Sequence, residues 1–210
     1  MAEKKVDIKG MSKEKKREYI WDYYRYHIIF GCIGVLLAGS FLYEQVTKLD
    51  YVYTIALLSE SIVSETNHDE FESKLKSIVI PDGEDKEVAT LSIFPVEDVV
   101  NSSDQMSRMY LQKLMVQLTT KEIDLMMLSA KDFTHYQEQE LFSMLDETKL
   151  QIDSSNFVTT SQGAVVGISL SHSPRMEALG VDTSDLIVAL PNMTKMPEAS
   201  YEAINWLFTN

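Results

Sequence analysis

The chain has 210 residues, with 19 lysines and arginines against 32 aspartates and glutamates, and a net charge of −13 at pH 7. Binding to the phosphates of nucleic acid requires clustered cationic side chains, so this composition excludes nucleic acid as a partner. The sequence contains one cysteine, Cys32, so the rest of the chain has no disulfide, no cysteine nucleophile and no metal site built from cysteines.

Residues 1–23 form a basic segment that ends in aromatic side chains. Eight lysines and arginines but five acids lie before Ile28. Tyrosine and tryptophan are enriched at membrane–water interfaces, where their amphipathic rings lie at the level of the headgroups. We therefore predict a basic cytoplasmic tail over residues 1–23, followed by a membrane span, with interfacial aromatic residues at the junction: Tyr19, Trp21, Tyr23, Tyr24 and Tyr26.

The next segment, Ile28–Tyr43, is continuously apolar. Its sixteen residues extend about 24 Å as an α-helix, and continuation over residues 24–46 reaches the ~30 Å thickness of a hydrocarbon core. We predict a transmembrane helix over residues 24–46. A cleaved signal peptide with a site at Ala38-Gly39-Ser40 and a buried core helix are the alternatives. The apolar run continues past that site and has no polar face, which favours the membrane anchor.

Charge asymmetry predicts the orientation of this anchor. Eight cations precede the apolar run, whereas eleven cations and twenty-seven acids follow it, giving the second part a net charge of about −16. The positive-inside rule then places the N-terminus in the cytoplasm and residues 47–210 outside the cell membrane. Gly34 and Ala38, four residues apart, are candidates for close packing against another transmembrane helix.

Residues 47–210 alternate between predicted strands and helices. Helices are predicted from Asn67 to about Ile78, over Asp104–Thr120, after a cap at Ser129, and over Glu198–Phe208. The polar segment Gln151–Gln162 is predicted to be a loop. Such alternation packs helices on the faces of a largely parallel sheet, so we predict an α/β fold with a single three-layer domain. Its predicted strands are Tyr51–Leu58, Glu87–Phe94, Ile123–Leu128, Gly163–Leu170 and Asp185–Leu190.

Methionine is abundant, with eleven residues. Met106, Met109 and Met115 fall on the predicted helix Asp104–Thr120, and Met126 and Met127 on a predicted strand. Thioether ligation of Cu(I) is one interpretation. Helical spacing and neighbouring leucines favour packing in the core instead, and any exposed methionines would suit an adaptable protein interface.

The search for catalytic motifs finds no glycine-rich phosphate loop, H-E-x-x-H, G-x-S-x-G or Cys/His cluster. His68, His135 and His172 are far apart in the sequence. We predict that none of them has a carboxylate or a second histidine at ligand spacing on the same helix or strand. The acidic turn Asp82–Asp85 lacks the alternation of a calcium loop. We therefore predict a protein that is not an enzyme and that has neither a metal nor a cofactor.

Two segments resemble ABC-transporter solute-binding proteins. Residues Ile123–Glu147 resemble the part of that family in which a strand reaches the ligand cleft and a helix follows. Residues Val166–Phe208 resemble its later part, with a G-I-x-L-S strand, the segment Pro174–Gly180 and a closing helix that begins P-E-A. The N-terminal block with one span resembles single-pass membrane proteins of Gram-positive bacteria that carry such a domain. The resemblance implies a solute-binding-protein lobe.

Solute-binding proteins close two lobes on a ligand, and residues 47–210 correspond in length to one lobe. No ligand-binding residue is therefore transferred from the family. Open α/β sheets bind ligands at the carboxyl ends of their strands. This rule predicts a ligand or partner rim formed by Ser59, Glu60, Ser129, Ser171, His172 and Ser173.

Three functions follow from these observations. The first is a non-enzymatic, membrane-tethered interaction domain on the outer face, with a membrane protein as its partner, such as a transporter or another membrane complex. The second is a tethered protein that captures a small ligand at the sheet crevice. The third is an extracytoplasmic hydrolase, for which the sequence offers no pair of nucleophile and base.

Overall fold

The computed structural model describes residues 12–96, 98–102 and 104–209. The chain divides into two compact units, with the boundary between Lys48 and Leu49. Residues 1–11, which form the start of the predicted cytoplasmic tail, lie outside the described residues.

The first unit is one long helix, α1, over Lys13–Thr47. Its segment Tyr24–Glu44 is long and apolar enough to cross a membrane, with 21 residues and a mean hydropathy of 1.7. None of this segment is buried in the structure, so it contributes to no core within the described residues. Gly34 and Ala38 are exposed on α1. A single helix of this kind is compatible with a membrane anchor.

The second unit contains a six-stranded mixed sheet with the order β2-β1-β3-β6-β5-β4. Its first half is parallel, because β1 pairs in parallel with both β2 and β3. Its second half is antiparallel, since β6 pairs with β3 and β5, and β5 with β4, in opposite directions. The strands are β1 Asp50–Leu58, β2 Glu87–Phe94, β3 Leu125–Ser129, β4 Phe157–Thr159, β5 Val165–Ser169 and β6 Leu186–Ala189.

The expectation of a largely parallel sheet is thus correct for one half only. Five strands lie where the sequence predicts them, but the predicted loop Gln151–Gln162 contains the edge strand β4. This strand has three residues that are half-buried or exposed, too few for an alternating pattern. It forms a hairpin with β5, and the intervening turn includes Gly163 with a φ of 85°, a left-handed conformation that favours glycine.

Five α-helices accompany the sheet within the described part of the second unit. Hydroxyl or carboxylate caps fix where α2, α3 and α4 begin, because the side chains of Ser64, Asp104 and Ser129 each accept a hydrogen bond from a backbone N–H of the first turn. The predicted cap at Ser129 is confirmed, whereas α2 begins two residues before Asn67. The helices are α2 Glu65–Val79, α3 Gln105–Thr119, α4 Ala130–Gln137, α5 Pro174–Leu179 and α6 Pro197–Leu207.

Alternate residues of the strands contribute to two separate apolar clusters. On β1, Tyr53, Ile55 and Leu57 pack with buried residues of α2, α5 and α6. Ala56 and Leu58 pack instead with buried residues of α3 and α4. The two faces of the sheet are therefore covered by different helices, which gives a mixed α/β unit.

The methionines divide between core and surface. Met126 and Met127 on β3 are fully buried, as predicted. The expectation of core packing is wrong for Met106, Met109 and Met115 on α3, which are 58 %, 56 % and 46 % exposed. The reason is geometric: α3 buries the stripe that contains Leu114 and Leu118, and these methionines project from other sides of the helix.

A buried polar cluster fixes the start of β3. Asp124 accepts hydrogen bonds from the Thr54 backbone N–H at 3.1 Å and from the Thr194 hydroxyl at 2.8 Å. Burial raises the pKa of the Asp124 carboxyl. Nearby, the Tyr53 hydroxyl donates to Ser200 on α6 at 3.1 Å. These bonds connect the middle of the sheet to the segment that leads into α6.

Candidate functional site

The carboxyl ends of four strands lie at one edge of the sheet, which we call the C-terminal edge. The parallel strands β1, β2 and β3 all end there. Because β6 is antiparallel to β3, the start of β6 lies at this same edge. Strand β5 is antiparallel to β6 and also ends there.

A crevice opens at the C-terminal edge with a cavity volume of about 180 Å³. Three of the six predicted rim residues, Ser59, Glu60 and Ser129, line it together. Three residues that the sequence analysis missed, Asp182, Ser184 and Asp185, line the opposite wall. Leu58, Val96 and Leu186 supply apolar surface. The crevice thus combines hydroxyls and three exposed carboxylates around a small apolar floor.

The missed residues immediately precede β6 rather than follow a strand. The rule for parallel sheets considers only the residues after each strand, so it passes over the residues before an antiparallel one. Asp182 accepts a hydrogen bond from the Ser184 backbone N–H at 3.0 Å. Hydrogen bonds from the backbone and side chain of Ser184 lower the pKa of Asp182, so this wall of the crevice is anionic.

The other three predicted residues do not line the crevice. Ser171, His172 and Ser173 follow β5, which is separated from β3 by β6. Ser173 is fully buried, and its hydroxyl donates to the Leu207 carbonyl at 2.7 Å. The same hydroxyl caps α5 by accepting from the Met176 backbone N–H. Ser173 therefore connects α5 to the end of α6, while His172 is exposed with a φ of 65°.

A buried carboxylate fixes Ser129. The Ser129 hydroxyl donates to Asp132 Oδ2 and accepts from the Asp132 backbone N–H, both at 3.1 Å. Asp132 is 1 % exposed and accepts a second bond from the Val99 backbone N–H at 3.0 Å. Burial raises the pKa of Asp132. The segment before α3 and the start of α4 are thereby held together beside the crevice.

An ion pair reinforces this connection from the outside. Lys131 donates to Asp98, whose carboxylate also accepts from Asn101. The bonds from Lys131 and then from Asn101 lower the pKa of Asp98. Asp98 and Asp132 therefore both accept hydrogen bonds from backbone N–H groups of residues 99–101. Neither carboxylate lines the crevice.

Helix α2 carries a group that resembles a metal site. One ligand atom each from His68, Asp69 and Glu72 lies within 4.8 Å of the others. The prediction that no histidine has a carboxylate at ligand spacing on its own element is therefore wrong, because His68 and Glu72 are four residues apart on α2.

Two of these side chains already contact the edge strand β2. His68 Nε2 lies 2.9 Å from the Leu91 carbonyl oxygen, and Glu72 accepts from the Leu91 backbone N–H at 2.8 Å. Glu72 also accepts from the Thr90 hydroxyl. Unpaired groups on an edge strand are sites for unwanted strand pairing. We interpret His68 and Glu72 as protection of this edge.

A second cavity lies where α2, α5 and α6 meet. Its volume is about 60 Å³, and its lining includes Phe71, Trp206 and Arg175. The Arg175 guanidinium lies 5.5 Å from the Trp206 ring centroid, at the distance of a cation–π contact. This space is too small for a metabolite, since ligand pockets measure roughly 300–1,000 Å³.

Comparison of the chain with protein-family models, curated proteins and solved structures finds no match. The assignment of function therefore depends on the fold and on the geometry of the crevice.

Proposed function

We propose that this protein is a membrane-tethered interaction domain, with α1 as the anchor and the unit that begins at Leu49 on the outer face of the cell membrane. The apolar segment Tyr24–Glu44 supports the anchor. The excess of cations before this segment and of acids after it supports a cytoplasmic N-terminus. The covering of both faces of the sheet by helices supports the three-layer arrangement of a solute-binding-protein lobe.

The observation that carries the proposal is the size of the crevice. Its volume of about 180 Å³ is below the roughly 300–1,000 Å³ of pockets that bury most of a small ligand. A solute held there would keep much of its surface in water, where its hydrogen bonds compete with the solvent. A protein surface that covers the whole edge excludes this water, so docking onto protein is favoured over solute capture.

The charges of the crevice indicate the chemistry of the contact. Glu60, Asp182 and Asp185 are exposed carboxylates on its two walls. Complementary potentials across an interface direct the encounter of the partners. The docking surface of the partner is therefore expected to present lysine or arginine to this edge.

The short connection to the anchor supports a partner within the same membrane. Only Lys48 and Leu49 separate the end of α1 from the start of β1. A short linker gives a neighbouring membrane protein a high effective concentration near the domain. A transporter or another membrane complex fits this requirement.

The test is charge reversal at the crevice in the full-length chain. Glu60→Lys combined with Asp185→Lys is expected to abolish co-purification of the membrane partner after solubilisation of native membranes. Glu177→Lys combined with Glu202→Lys, which reverses one exposed charge on α5 and one on α6, is the matched control and is expected to retain the partner. Retention of the same partner by the crevice variant contradicts the assignment of the docking surface.

Solute capture is the second candidate, because three serines, Ser59, Ser129 and Ser184, line the crevice. Thermal-shift measurements with sugars, amino acids, short peptides and metal ions separate the two functions. A metabolite that binds at micromolar Kd, together with a full-length protein that co-purifies with nothing, favours capture over docking.

A further inference from the structure

Helix α3 has an exposed apolar surface that does not line the crevice. Its inward side is the buried stripe of Leu114 and Leu118. On the far side, Met106, Met109 and Val116 are 58 %, 56 % and 55 % exposed. At about 100° per residue, Met109 and Val116 point almost directly away from the buried stripe. The apolar side chains of α3 thus form two stripes, and one of them has no cover within the described residues.

The spacing of the second stripe is that of a helix–helix contact. We define the outer stripe as Met106, Met109, Lys113, Val116 and Thr120, whose successive spacings of three, four, three and four residues keep them on one side of the helix. The same alternation forms the seam of a left-handed pair of helices. Met109 and Val116 also line a shallow depression together with Gln112, Lys113 and Gln117. The geometry fits a partner helix lying along α3.

The two charged side chains of α3, Arg108 and Lys113, are both positive. The acids Asp104 and Glu122 lie just beyond the two ends of the helix. Lys113 lies at the midpoint of the outer stripe, with Nζ 5.6 Å from the centroid of the Phe94 ring. Because Lys113 is exposed, its long side chain can also reach a helix that covers the stripe, and an acidic side chain is its favourable partner there.

We propose that the outer stripe binds an amphipathic α-helix of another protein, which presents apolar side chains to Met109 and Val116 and an aspartate or glutamate to Lys113. Flexible methionines adapt to the side chains of such a helix. This inference rests on the proposed function of docking onto protein. It uses a different face from the crevice, so variants of the two surfaces test the two statements separately.

A second copy of the chain fits this surface less well. Because Lys113 is the midpoint of the outer stripe, a symmetric pairing of two copies along the stripe brings the two Lys113 side chains together in either orientation. Like charges at the centre of an interface are unfavourable. An anionic bilayer is also disfavoured, since the two cations on α3 are opposed by a net charge of about −16 after Tyr43.

The experiment measures peptide binding to the full-length chain in nanodiscs of neutral lipid. The probe is a fluorescent three-heptad peptide with leucine at its seam positions and one central glutamate in the seam, and its matched control has lysine in place of that glutamate. We expect the glutamate peptide to bind at least about tenfold more tightly than the lysine peptide. The charge reversal Lys113→Glu is expected to invert this preference, and Lys113→Gln to remove it.

Variants of the apolar part provide the second readout. Met109→Ser combined with Val116→Ser is expected to weaken binding of the glutamate peptide by about tenfold or more. Met144→Ser is the control, because Met144 is 70 % exposed but lies outside α3. Binding that does not distinguish the two peptides, or that responds equally to Met144→Ser, overturns the proposal. Glu60→Lys with Asp185→Lys tests only the crevice and is expected to leave peptide binding unchanged.

A single-cysteine chain tests the other occupants. Cys32→Ser combined with Val116→Cys carries its one thiol in the outer stripe. Disulfide-linked dimers that form efficiently at this position identify a second copy as the occupant. Quenching of a fluorophore at residue 116 by lipid-borne quenchers in anionic nanodiscs identifies the bilayer. Either result overturns the proposal, and their absence together with the charge-dependent peptide binding supports it.

Discussion

Helices α1 and α3 both expose large apolar side chains, but they distribute them differently. In α1 the run Ile28–Tyr43 is apolar on all sides, and none of it is buried. In α3 one stripe is buried and the opposite stripe is half-exposed, and the residues between them are polar apart from Tyr110, Leu111 and Met115. A helix that is apolar all round suits hydrocarbon, whereas two narrow stripes suit a sheet on one side and a second helix on the other. The distribution of apolar residues therefore distinguishes the two surroundings better than their number does.

The largest expected effect comes from arginines placed in α1. Gly34→Arg with Leu37→Arg puts two charges near the centre of the span, each costing ~2.5–3.5 kcal/mol on insertion scales. We expect this variant to leave the membrane fraction. The matched variant Met109→Arg with Val116→Arg on α3 should fractionate like the parent. Equal fractionation of both variants would contradict the distinction between the two helices.

The next effect concerns the buried stripe of α3. Leu114 is fully buried among residues of the second cluster, so Leu114→Ala should reduce the free energy of unfolding by about 2–5 kcal/mol. Urea unfolding of the full chain, followed by Trp206 fluorescence in a Trp21→Phe background, measures this loss. The volume-conserving control Leu114→Met should lose less than about 1.5 kcal/mol. A loss below about 0.5 kcal/mol for Leu114→Ala would mean that α3 is oriented the other way.

The attachment of α3 depends on Asp132, which accepts from the Val99 backbone N–H just before the helix. Burial raises the pKa of Asp132 in the folded protein, so its contribution to stability is present below the unfolded pKa of about 3.9 and is lost as pH rises through the folded pKa. An asparagine side chain at this position accepts the same backbone hydrogen bond and cannot ionise. Asp132→Asn should therefore gain stability relative to the parent as pH rises from about 4 towards 7, by ~1.4 kcal/mol for each tenfold change in the ionisation constant.

Urea unfolding at several pH values measures this difference. The free energy of unfolding of the parent should be highest relative to that of the variant at low pH, where Asp132 of the parent is protonated. As pH rises, the difference between the two free energies should change in favour of the variant. A difference that is constant across this range would show that the ionisation of Asp132 does not affect folding.

The smallest effect is expected on the outer stripe. Met109→Ala should change the free energy of unfolding by less than about 0.5 kcal/mol, because the side chain is 56 % exposed. The same substitution at the fully buried Met127 should cost about 2–5 kcal/mol. Thermal unfolding of the two variants compares them directly. A large loss at Met109 would show that the outer stripe is covered within this chain.

The positions of the strands and helices in the second unit can largely be predicted from the sequence, but the directions of the strands within the sheet cannot. Strands such as Glu87–Phe94 are marked by β-branched and alternating residues. The segment Asp185–Leu190 is apolar in either direction, so its pattern predicts a strand but not that it runs antiparallel to β3. Strand direction depends on the path of the chain between strands. The pattern of apolar residues therefore predicts the strands but not the mixed parallel and antiparallel arrangement of the sheet.

The residues of the candidate site can likewise be predicted from the sequence only in part. Ser59, Glu60 and Ser129 were predicted to form part of the rim because they follow parallel strands, and they line the crevice. The sequence does not predict that Asp182, Ser184 and Asp185 lie at the rim, because their position depends on the direction of β6. The exposed methionines of α3 were misassigned for a related reason, since two apolar stripes on one helix do not reveal which one faces the sheet. The proximity of His68 and Glu72 is predictable from the sequence, because the two residues are four apart within a predicted helix.

Strand β1 joins helix α1 to the crevice. It begins at Asp50, shortly after α1 ends at Thr47, and Ser59 at the crevice directly follows its last residue. It is hydrogen-bonded on both sides, to β2 over eight residue pairs and to β3 over three. With α1 as the proposed anchor and the crevice as the proposed docking surface, a partner that moves relative to the membrane places tension along this strand and loads those hydrogen bonds in shear. On that proposal, β1, about 30 Å long, transmits the force between partner and bilayer.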